Sequence, residues 1–277
     1  MPVIALTQGM GSLAQDIAEH LAQELGLATL QHEVAERVAD KMHVSKSLIN
    51  RLRAGKAGPI ERLRADRHSI AVYTAEEVLE AAAGGNLVVR GWGGTQLLRL
   101  VPHIPCVRIM RPFAQRVRWL MQALDTDDIA LAENEIRRSD QANASRMHDQ
   151  FGVQWGDPVL FDMVLNTEHL SVDTCVQQLK SLLTRPEFAE TPASLGLLQG
   201  LAMGARARAA LRAHPNTQDV DVSIDCVAST LTLSGIVVSQ AERQATEQVA
   251  AGVAGVNQVD NQLRVMATSR LFTSSKT

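Results

Sequence analysis

Residues 3–26, VIALTQGMGSLAQDIAEHLAQELG, combine an apolar run, a glycine turn and an amphipathic helix. The run at residues 3–6 predicts a strand, and apolar residues then recur at helical spacing from Ala14 to Leu25 before Gly26. A strand that leads through a glycine turn into a helix directs backbone N–H groups and a helix N-terminus at one point, where a phosphate can bind. The segment therefore predicts either a nucleotide-phosphate loop or a purely structural turn of the same layout.

The turn lacks the lysine of a working phosphate loop. In the pattern GxxxxGK[ST], that lysine reaches the β- and γ-phosphates. Here Gln15 and Asp16 follow the turn, and the first lysine of the chain is Lys41. Ser12 offers either a hydroxyl for Mg²⁺ or a cap for the helix N-terminus. The loop alone leaves open whether the domain handles nucleotides or keeps only their fold.

Composition bounds the class of protein. The 277 residues are 45% hydrophobic and only 3% aromatic, which allows two domains with aliphatic cores. No run approaches the ~18–20 apolar residues of a membrane span, and the N-terminus lacks a signal-peptide layout. Three widely spaced cysteines fit a reducing compartment. We therefore expect a cytoplasmic protein, and no histidine or cysteine pattern predicts a metal site.

Charge is unevenly distributed along the chain. The net charge is −3, yet nine lysines or arginines stand against four acids between residues 36 and 68. This basic segment is either a solvated helical face or a surface that faces an anion. Part of it, HVSKSLINRLRAGK at residues 43–56, superficially resembles a helix-turn-helix recognition segment. Nucleic acid is therefore an alternative partner, although a disfavoured one.

Strand and helix signals alternate over residues 1–183. Strands are predicted at 87–89, 106–110 and 160–166, and helices at 112–124, at 129–150 and from Ser171 onward. Thr74 and Glu77 form a capping-box pattern that predicts a helix over 75–83. Alternation of this kind predicts an α/β domain of three layers, with a mainly parallel sheet and the N-terminal strand at its centre.

A second, smaller domain is predicted after a break in periodicity. Residues 184–200, TRPEFAETPASLGLLQG, contain two prolines and two glycines and are interpreted as a linker. Residues 201–267 then give an αββαβ order, with a short helix at 205–213, alternating apolar residues through two strands, a helical stripe and a last strand at 258–265. A polar tail follows at 268–277.

The first domain resembles the cytidylate-kinase-like family of phosphate-loop nucleoside-monophosphate kinases, over roughly residues 1–184. LVVRGWGGTQLL at 87–98 is similar to the family's second glycine turn. RIMRPFAQRV at 108–117 is similar to its strand followed by a proline and a phosphate-contacting arginine, which falls on Arg116. The most specific stretch, residues 139–179, resembles the lid helix, a Trp-x-Asp-Pro turn, the strand that ends in Asn-Thr and the closing helix.

Several family positions are substituted. The motif GSGGR stands as GSLAQ at residues 11–15, and Asp-Arg-Glu stands as QHE at 31–33. Trp92 replaces the arginine of the second turn, and Asn143 replaces an arginine of the lid. Because phosphoryl transfer depends on positioning and on cations around the phosphates, these changes predict reduced or lost kinase activity. Substitute cations are available at four positions, Arg90, Arg137, Arg138 and Arg146, unless these are ordinary charges on solvated helices.

The resemblance implies a set of nucleotide-binding residues, with ATP and Mg²⁺ as candidate cofactors and no assigned catalytic residue. Asp140 and Asp162 are candidates to orient a sugar or metal, or are structural carboxylates. Trp92 is either a base-stacking or a packing residue. The predicted nucleotide-binding residues are Gly9, Gly11, Ser12, Gly91, Arg116, Arg137, Asp140 and Arg146.

The second domain resembles the BON domain over about residues 203–267. The stretch STLTLSGIVVSQAERQATEQVAAGVAGVNQVDNQLRV at 229–265 follows its Leu-x-Gly-x-Val, Gly-Val-x-x-Val and Asn-x-Leu-x-Val pattern. The resemblance implies a module that binds phospholipid, a small ligand or a protein, and that is not catalytic. No binding residue of this domain and no oligomeric state follow from the sequence.

Three functional hypotheses result. The first is a kinase-fold protein that binds nucleotide or regulates, with degenerate phosphate-loop and lid residues, fused to a BON binding module. The second is an active cytidylate-type kinase that transfers the γ-phosphate of ATP with a substituted cation set. The third is nucleic-acid binding through the basic segment 36–68.

Overall fold

The computed structural model describes residues 1–30, 33–91 and 93–266. The chain divides into two compact units, Met1–Leu198 and Gln199–Thr277. The predictions for residues 31, 32 and 92, and for the polar tail at 268–277, lie outside the described residues. Within the described part, no helix is both long and apolar enough to span a membrane.

The first unit is built on a five-stranded sheet in the order β2-β3-β1-β4-β5. Every neighbouring pair is parallel, and the apolar N-terminal strand is central and buried. This confirms the predicted α/β class and sheet. The strands are β1 (Val3–Gln8), β2 (Ala28–Leu30), β3 (Leu87–Arg90), β4 (Cys106–Met110) and β5 (Met163–Asn166).

Among the described residues, nine α-helices lie before residue 184. The stripe predicted from residues 14–25 is observed: Ile17 and Leu21 are fully buried and share a core cluster with Val176 and Leu179. Four helices lie between β2 and β3 as a helical insertion. The helices are α1 (Ala14–Leu25), α2 (Glu33–Lys41), α3 (Lys46–Arg53), α4 (Pro59–Arg64), α5 (Arg67–Ala83), α6 (Gly94–Leu97), α7 (Phe113–Leu124), α8 (Ile129–Phe151) and α9 (Val172–Leu183).

Two local predictions in this unit are wrong. Helix α5 begins at Arg67, because Asp66 caps it by accepting from the Ser69 N–H at 2.9 Å. The Thr74 and Glu77 pattern therefore lies inside the helix, where Glu77 is buried and pairs with Lys41 at 2.7 Å. The strand predicted at 160–166 begins only at residue 163, because Pro158–Leu160 form a 3₁₀ turn.

Residues 192–213 form one helix, α10 (Pro192–Ala213). The prolines and glycines that suggested a linker over 184–200 include Pro192, which stands at the first helical position, where a proline is tolerated. Gly200 is required inside the helix for a steric reason, because a Cβ there would lie 2.4 Å from the carbonyl oxygen of Cys226. Sequence-based interpretation took this packing glycine for a helix breaker.

The second unit has a three-stranded sheet in the order β6-β7-β8. Strands β6 (Ser223–Val227) and β7 (Thr230–Val237) are antiparallel, and β7 is parallel to β8 (Gln258–Val265). Helix α11 (Gln240–Ala251) makes the crossover between β7 and β8, which confirms the predicted αββαβ order. The core is aliphatic and comprises Ala207, Leu211, Ile224, Leu231, Leu233, Val237, Ala250, Val253 and Leu263.

Candidate functional site

A cavity of about 450 Å³ lies at the carboxyl ends of β1 and β3. Its floor is the loop from Thr7 to Leu13 and the first turn of α1, and its walls come from α3, α8 and the turn after β3. In open parallel sheets, ligands bind in the crevice outside the carboxyl ends of the strands. The cavity is therefore the candidate site, and the predicted phosphate loop forms its floor.

The loop places two residues in the left-handed region. Gly11 has φ +78°, and Leu13, which precedes α1, has φ 63°. Glycine adopts this conformation freely, whereas a residue with a Cβ pays about 1–2 kcal/mol for it. Leu13 is the N-cap residue and provides no side-chain hydrogen bond. The alternative interpretation of Ser12 as the helix cap is therefore wrong.

The side chain of Ser12 is buried instead. Ser12 is 1% exposed, and among the described residues no group forms a hydrogen bond with its Oγ. The Ser12 carbonyl accepts from the Thr167 hydroxyl at 3.0 Å, which ties this loop to the end of β5. A buried hydroxyl without a partner is costly, and Ser12 lines the cavity. The Ser12 hydroxyl therefore fits a ligand oxygen.

Arg116 is bound to the protein itself. Its Nη1 and Nη2 donate to the two carboxylate oxygens of Asp140 at 2.9 and 2.7 Å, and its Nε donates to the Met10 carbonyl at 2.6 Å. A Cβ on Gly9 would lie 2.9 Å from this guanidinium. The structure thus brings together four predicted site residues, Gly9, Gly11, Arg116 and Asp140, but as a clamp on the loop.

Three arginines also line the cavity. Arg53 at the end of α3, Arg90 at the end of β3 and Arg146 on α8 all line it. Arg146 Nη2 donates to the carbonyl of Arg53, and a methyl group on Gly91 would lie 3.4 Å from Arg53 Nη2. Gly91 (φ +79°) therefore leaves room for Arg53 beside the turn.

Burial and mutual repulsion act on these guanidinium groups. Burial, then the charge of Arg146, then that of Arg90 lower the pKa of Arg53 to about 9, so it stays charged at pH 7. Burial also lowers the pKa of Arg90 and of Arg146. Carboxylates at Glu19 and Asp16 partly oppose this effect at Arg90. Like charges held together at a cavity wall favour an anion as their counter-charge.

Two tryptophans also line the cavity. The Trp155 indole donates to Thr7 Oγ1 at 3.3 Å, and Arg108 stacks over its ring with 4.4 Å between the guanidinium carbon and the ring centroid. A Cβ on Gly11 would lie 3.0 Å from Trp119. Large aromatic faces at a cavity wall can pack against a planar ring. The sequence placed Trp155 only in the Trp-x-Asp-Pro turn, and Trp119 was not identified.

Other predicted residues are not brought to the cavity. Arg137 pairs with Glu133 at 3.5 Å and stacks over Phe113, and Arg138 pairs with Glu135 at 2.7 Å. Asp162 accepts from the backbone N–H of Cys106 at 2.7 Å and thus holds the start of β4. It acts as a structural carboxylate.

Arg53 is the charged lining residue that sequence reasoning did not single out. The signal that pointed to it was the excess of positive charge over residues 36–68, one interpretation of which was an anion-facing surface. Most other cations of that segment pair with carboxylates at 2.5–3.4 Å and so do not form an open basic face. The paired cations are Arg37, Lys41, Lys46, Arg51, Lys56 and Arg67.

Metal ligands are scarce at this cavity. Asp16 is the one carboxylate among the described lining residues. In the described part of the chain, no group of three or more histidine, cysteine, aspartate or glutamate side chains could hold a metal ion. The residues therefore fit a phosphate group, whereas a magnesium ion would depend on ligand oxygens and water for most of its coordination.

Solved structures show a related fold. A protein described as uncharacterized from Eubacterium ventriosum ATCC 27560 superposes with a TM-score of 0.53 at 16% identity, over 67% of this chain and all of that one. Shikimate kinase from Bacteroides thetaiotaomicron gives a TM-score of 0.41 at 14% identity, over 66% of this chain and 99% of that one. The likeness to the Eubacterium ventriosum protein concerns the fold alone.

Sequence comparisons account for both units. Residues 204–267 match the BON domain, and osmotically-inducible protein Y of Escherichia coli (strain K12) is 41% identical over 64 residues. That match covers 23% of this chain, and the chain spans about a third (32%) of that relative's length. Residues 3–169 match the cytidylate kinase-like family. The chain thus belongs to the cytidylate kinase-like family and carries a BON domain after its kinase-like unit.

Proposed function

We propose that the protein binds a nucleotide at the arginine-lined cavity and does not turn it over, so that its kinase-like unit acts as a regulatory or sensing domain. The observation that carries this proposal is the convergence of Arg53, Arg90 and Arg146 on one cavity at the carboxyl ends of β1 and β3. The same cavity contains the Ser12 hydroxyl and the N-terminus of α1, which are both suited to phosphate oxygens.

Loss of turnover follows from the loop. No lysine stands among the described residues that line the cavity, and Arg116 is neutralised by Asp140 and hydrogen-bonded to the Met10 carbonyl. Phosphoryl transfer needs free cations at the transferring group, and one missing arginine-type contact can cost about 10³–10⁵ in rate. Leu13 also adds a side chain where the family has glycine.

An active cytidylate-type kinase is the second candidate. It is favoured by the inward position of Arg90 and Arg146, two of the four cations that could substitute for the missing ones. A coupled assay with cytidine monophosphate, ATP and Mg²⁺ separates the two functions. We expect no turnover above background, and a rate of even ~1 s⁻¹, the low end of typical kinases, would establish the enzyme instead.

Nucleic acid remains a disfavoured partner. Six of the nine cations in segment 36–68 already pair with carboxylates, so little uncompensated charge is left for a phosphate backbone. A gel-shift titration of labelled duplex at two salt concentrations tests this, since phosphate-driven binding weakens steeply with salt.

The BON domain is proposed as the docking module, with phospholipid, a small ligand or a protein as its partner on the cytoplasmic side. Ile236 at the end of β7 is 65% exposed, and Val238, two residues further, is 67% exposed. Val238 follows the end of the strand, and together the two exposed side chains provide an apolar surface at this end of the sheet. Exposed apolar patches commonly mark interaction sites.

Co-sedimentation of the full chain with vesicles of anionic phospholipid tests the docking surface. We expect Ile236→Ser with Val238→Ser to lower vesicle binding. Val227→Ser is the matched control, because Val227 is even more exposed (76%) but lies on β6. If wild type and control bind while the double variant does not, the surface is supported; equal binding of all three argues against it.

Nucleotide binding is tested by thermal denaturation with a panel of nucleoside mono-, di- and triphosphates, each with and without Mg²⁺. A ligand that binds only the native state raises its stability by mass action, by about 2.7 kcal/mol at a hundred times its dissociation constant. We expect at least one nucleotide to raise the midpoint. A panel without effect at millimolar concentration would refute the proposed function.

A further inference from the structure

We infer that a second cavity, inside the helical insertion, binds a small apolar carboxylate, with its apolar body among the helices and its carboxylate at Arg64. This insertion cavity is bordered by α2, α3, α4 and α5 and has a volume of about 440 Å³. Small-molecule sites typically have volumes of roughly 300–1,000 Å³. The inference goes beyond the proposed nucleotide binding and does not depend on it.

The insertion cavity is separate from the cavity at the carboxyl ends of β1 and β3. The two share no described lining residue, although α3 contributes to both. Leu48 and Leu52, four positions apart, line the insertion cavity, whereas Asn50 and Arg53, three positions apart, line the other. Because residues at these spacings are neighbours on a helix surface, the two cavities contact different faces of α3.

The walls of the insertion cavity are mostly apolar. Most lining residues carry aliphatic or aromatic side chains, among them Ile49, which is 1% exposed, and Tyr73, which is 6% exposed. Helix α4, in contrast, has no buried residue, and its Ile60 is 67% exposed although it lines the cavity. Protein interiors are close-packed. An apolar ligand body between these helices would therefore bury the inner side of α4.

Three of the four charged lining residues are engaged within the insertion. Lys41 donates to two carboxylates of α5 at 2.6 and 2.7 Å. Glu61 accepts from Arg51 at 2.5 Å, and Asp66 caps α5. Both carboxylates of the lining are thus already bound, so a cationic ligand would find no open counter-charge among the described lining residues.

Arg64 is the fourth charged lining residue, and it is exposed at the rim. Among the described residues, no group forms an ion pair or a hydrogen bond with its side chain. It follows Ile60 by four positions on α4, which places a cation beside an apolar side chain. A guanidinium presents forked donors that match a carboxylate. The lining therefore suits an apolar body that carries one carboxylate.

Tyr73 provides a site-specific probe, because it lines the insertion cavity and is the only tyrosine of the chain. The full chain labelled with fluorotyrosine should give one fluorine resonance, which is followed during titrations with octanoate, octanol, octylamine and acetate. We expect octanoate to shift this resonance saturably. Octanol should bind about 3–10-fold more weakly, because it lacks the charge-assisted contact at the exposed rim. Octylamine should bind more weakly still, and acetate should cause no shift.

Two kinds of variant assign the contacts. Arg64→Gln should remove the advantage of octanoate over octanol and leave octanol binding unchanged. Arg62→Gln is the matched control, because Arg62 lies on the same helix outside the lining and donates to the Gly55 carbonyl at 2.7 Å. Ala65→Trp places a large side chain in the cavity and should abolish both responses. Should it fail to fold by circular dichroism, Leu48→Phe provides the same comparison.

The outcomes decide the inference without reference to nucleotides. It is supported if octanoate binds better than octanol and only Arg64→Gln, of the two arginine variants, removes the difference. It is wrong if octanoate leaves the resonance unchanged, if octanol or octylamine binds as tightly, or if the response survives in the cavity-filling variant. Equal effects of Arg62→Gln and Arg64→Gln would also overturn the assignment to Arg64. The nucleotide panel tests the proposed function separately.

Discussion

Replacing Gly9 by alanine tests the clamp that Arg116 forms on the loop. The new Cβ would lie 2.9 Å from two atoms of the Arg116 guanidinium, closer than van der Waals contact allows. That guanidinium cannot easily retreat, because three hydrogen bonds of 2.6–2.9 Å hold it to Asp140 and Met10. The backbone of Gly9 lies outside the left-handed region, so alanine meets no conformational penalty there.

The cost should therefore be that of overpacking a fixed site, about 1–3 kcal/mol. For a unit of this size, each kcal/mol lowers the melting midpoint by about 2–4 °C. Tryptophan fluorescence follows this unit alone, because all three tryptophans of the chain lie before residue 199. Gly156→Ala is the matched control, since no atom lies within 4 Å of its Cβ position.

A double-mutant cycle identifies the cause of the loss. In an Arg116→Met background the guanidinium is absent, and the cost of Gly9→Ala should fall by about 1–2 kcal/mol. Two results would refute the reasoning: Gly9→Ala no more destabilising than Gly156→Ala, or the same cost of Gly9→Ala in both backgrounds.

Two further predictions concern pH and autonomy. Burial lowers the pKa of His103, whose Nδ1 shares a 2.7 Å hydrogen bond with Ser194 Oγ. The contribution of this neutral histidine to the free energy of unfolding should therefore be complete above the unfolded pKa of about 6.5, and it should be lost as pH drops through the lowered folded value. Denaturation of wild type and His103→Gln at pH 7.5 and 5 checks this, and an equal acid loss in both would contradict it. Residues 200–277 expressed alone should give a well-dispersed amide spectrum, because the unit has its own aliphatic core; a collapsed spectrum would reject independent folding.

The fold was predictable where local pattern and packing agree. The β1–α1 segment carries its strand, turn and helix signals in consecutive residues, and the buried stripe of Ile17 and Leu21 follows from the 3.6-residue period. The prediction failed at α5, because Asp66 and Ser69 supply a cap earlier than Thr74. It also failed at Gly200, whose close approach to Cys226 is a tertiary contact with no local signal.

The site was predictable only in part, because long-range contacts assemble it. The glycines and Ser12 follow from the loop itself, whereas Arg53 and Arg146 meet across 93 positions of sequence. Whether a basic residue faces solvent or a cavity depends on its contacts in the folded chain. On the same helix, Arg137 pairs with Glu133, whereas Arg146 lines the cavity. The excess of positive charge indicated segment 36–68, but it did not identify Arg53 within that segment.

A phosphorus NMR spectrum of the full chain with cytidine monophosphate, ATP and Mg²⁺ tests the central claim most directly. It observes binding and turnover in one sample, since each phosphate has its own resonance. We expect the phosphate resonances of at least one of the two nucleotides to shift or broaden, and no diphosphate signals to grow with time. Growth of cytidine diphosphate and ADP resonances, or resonances of both nucleotides that the protein leaves unchanged, would contradict the account.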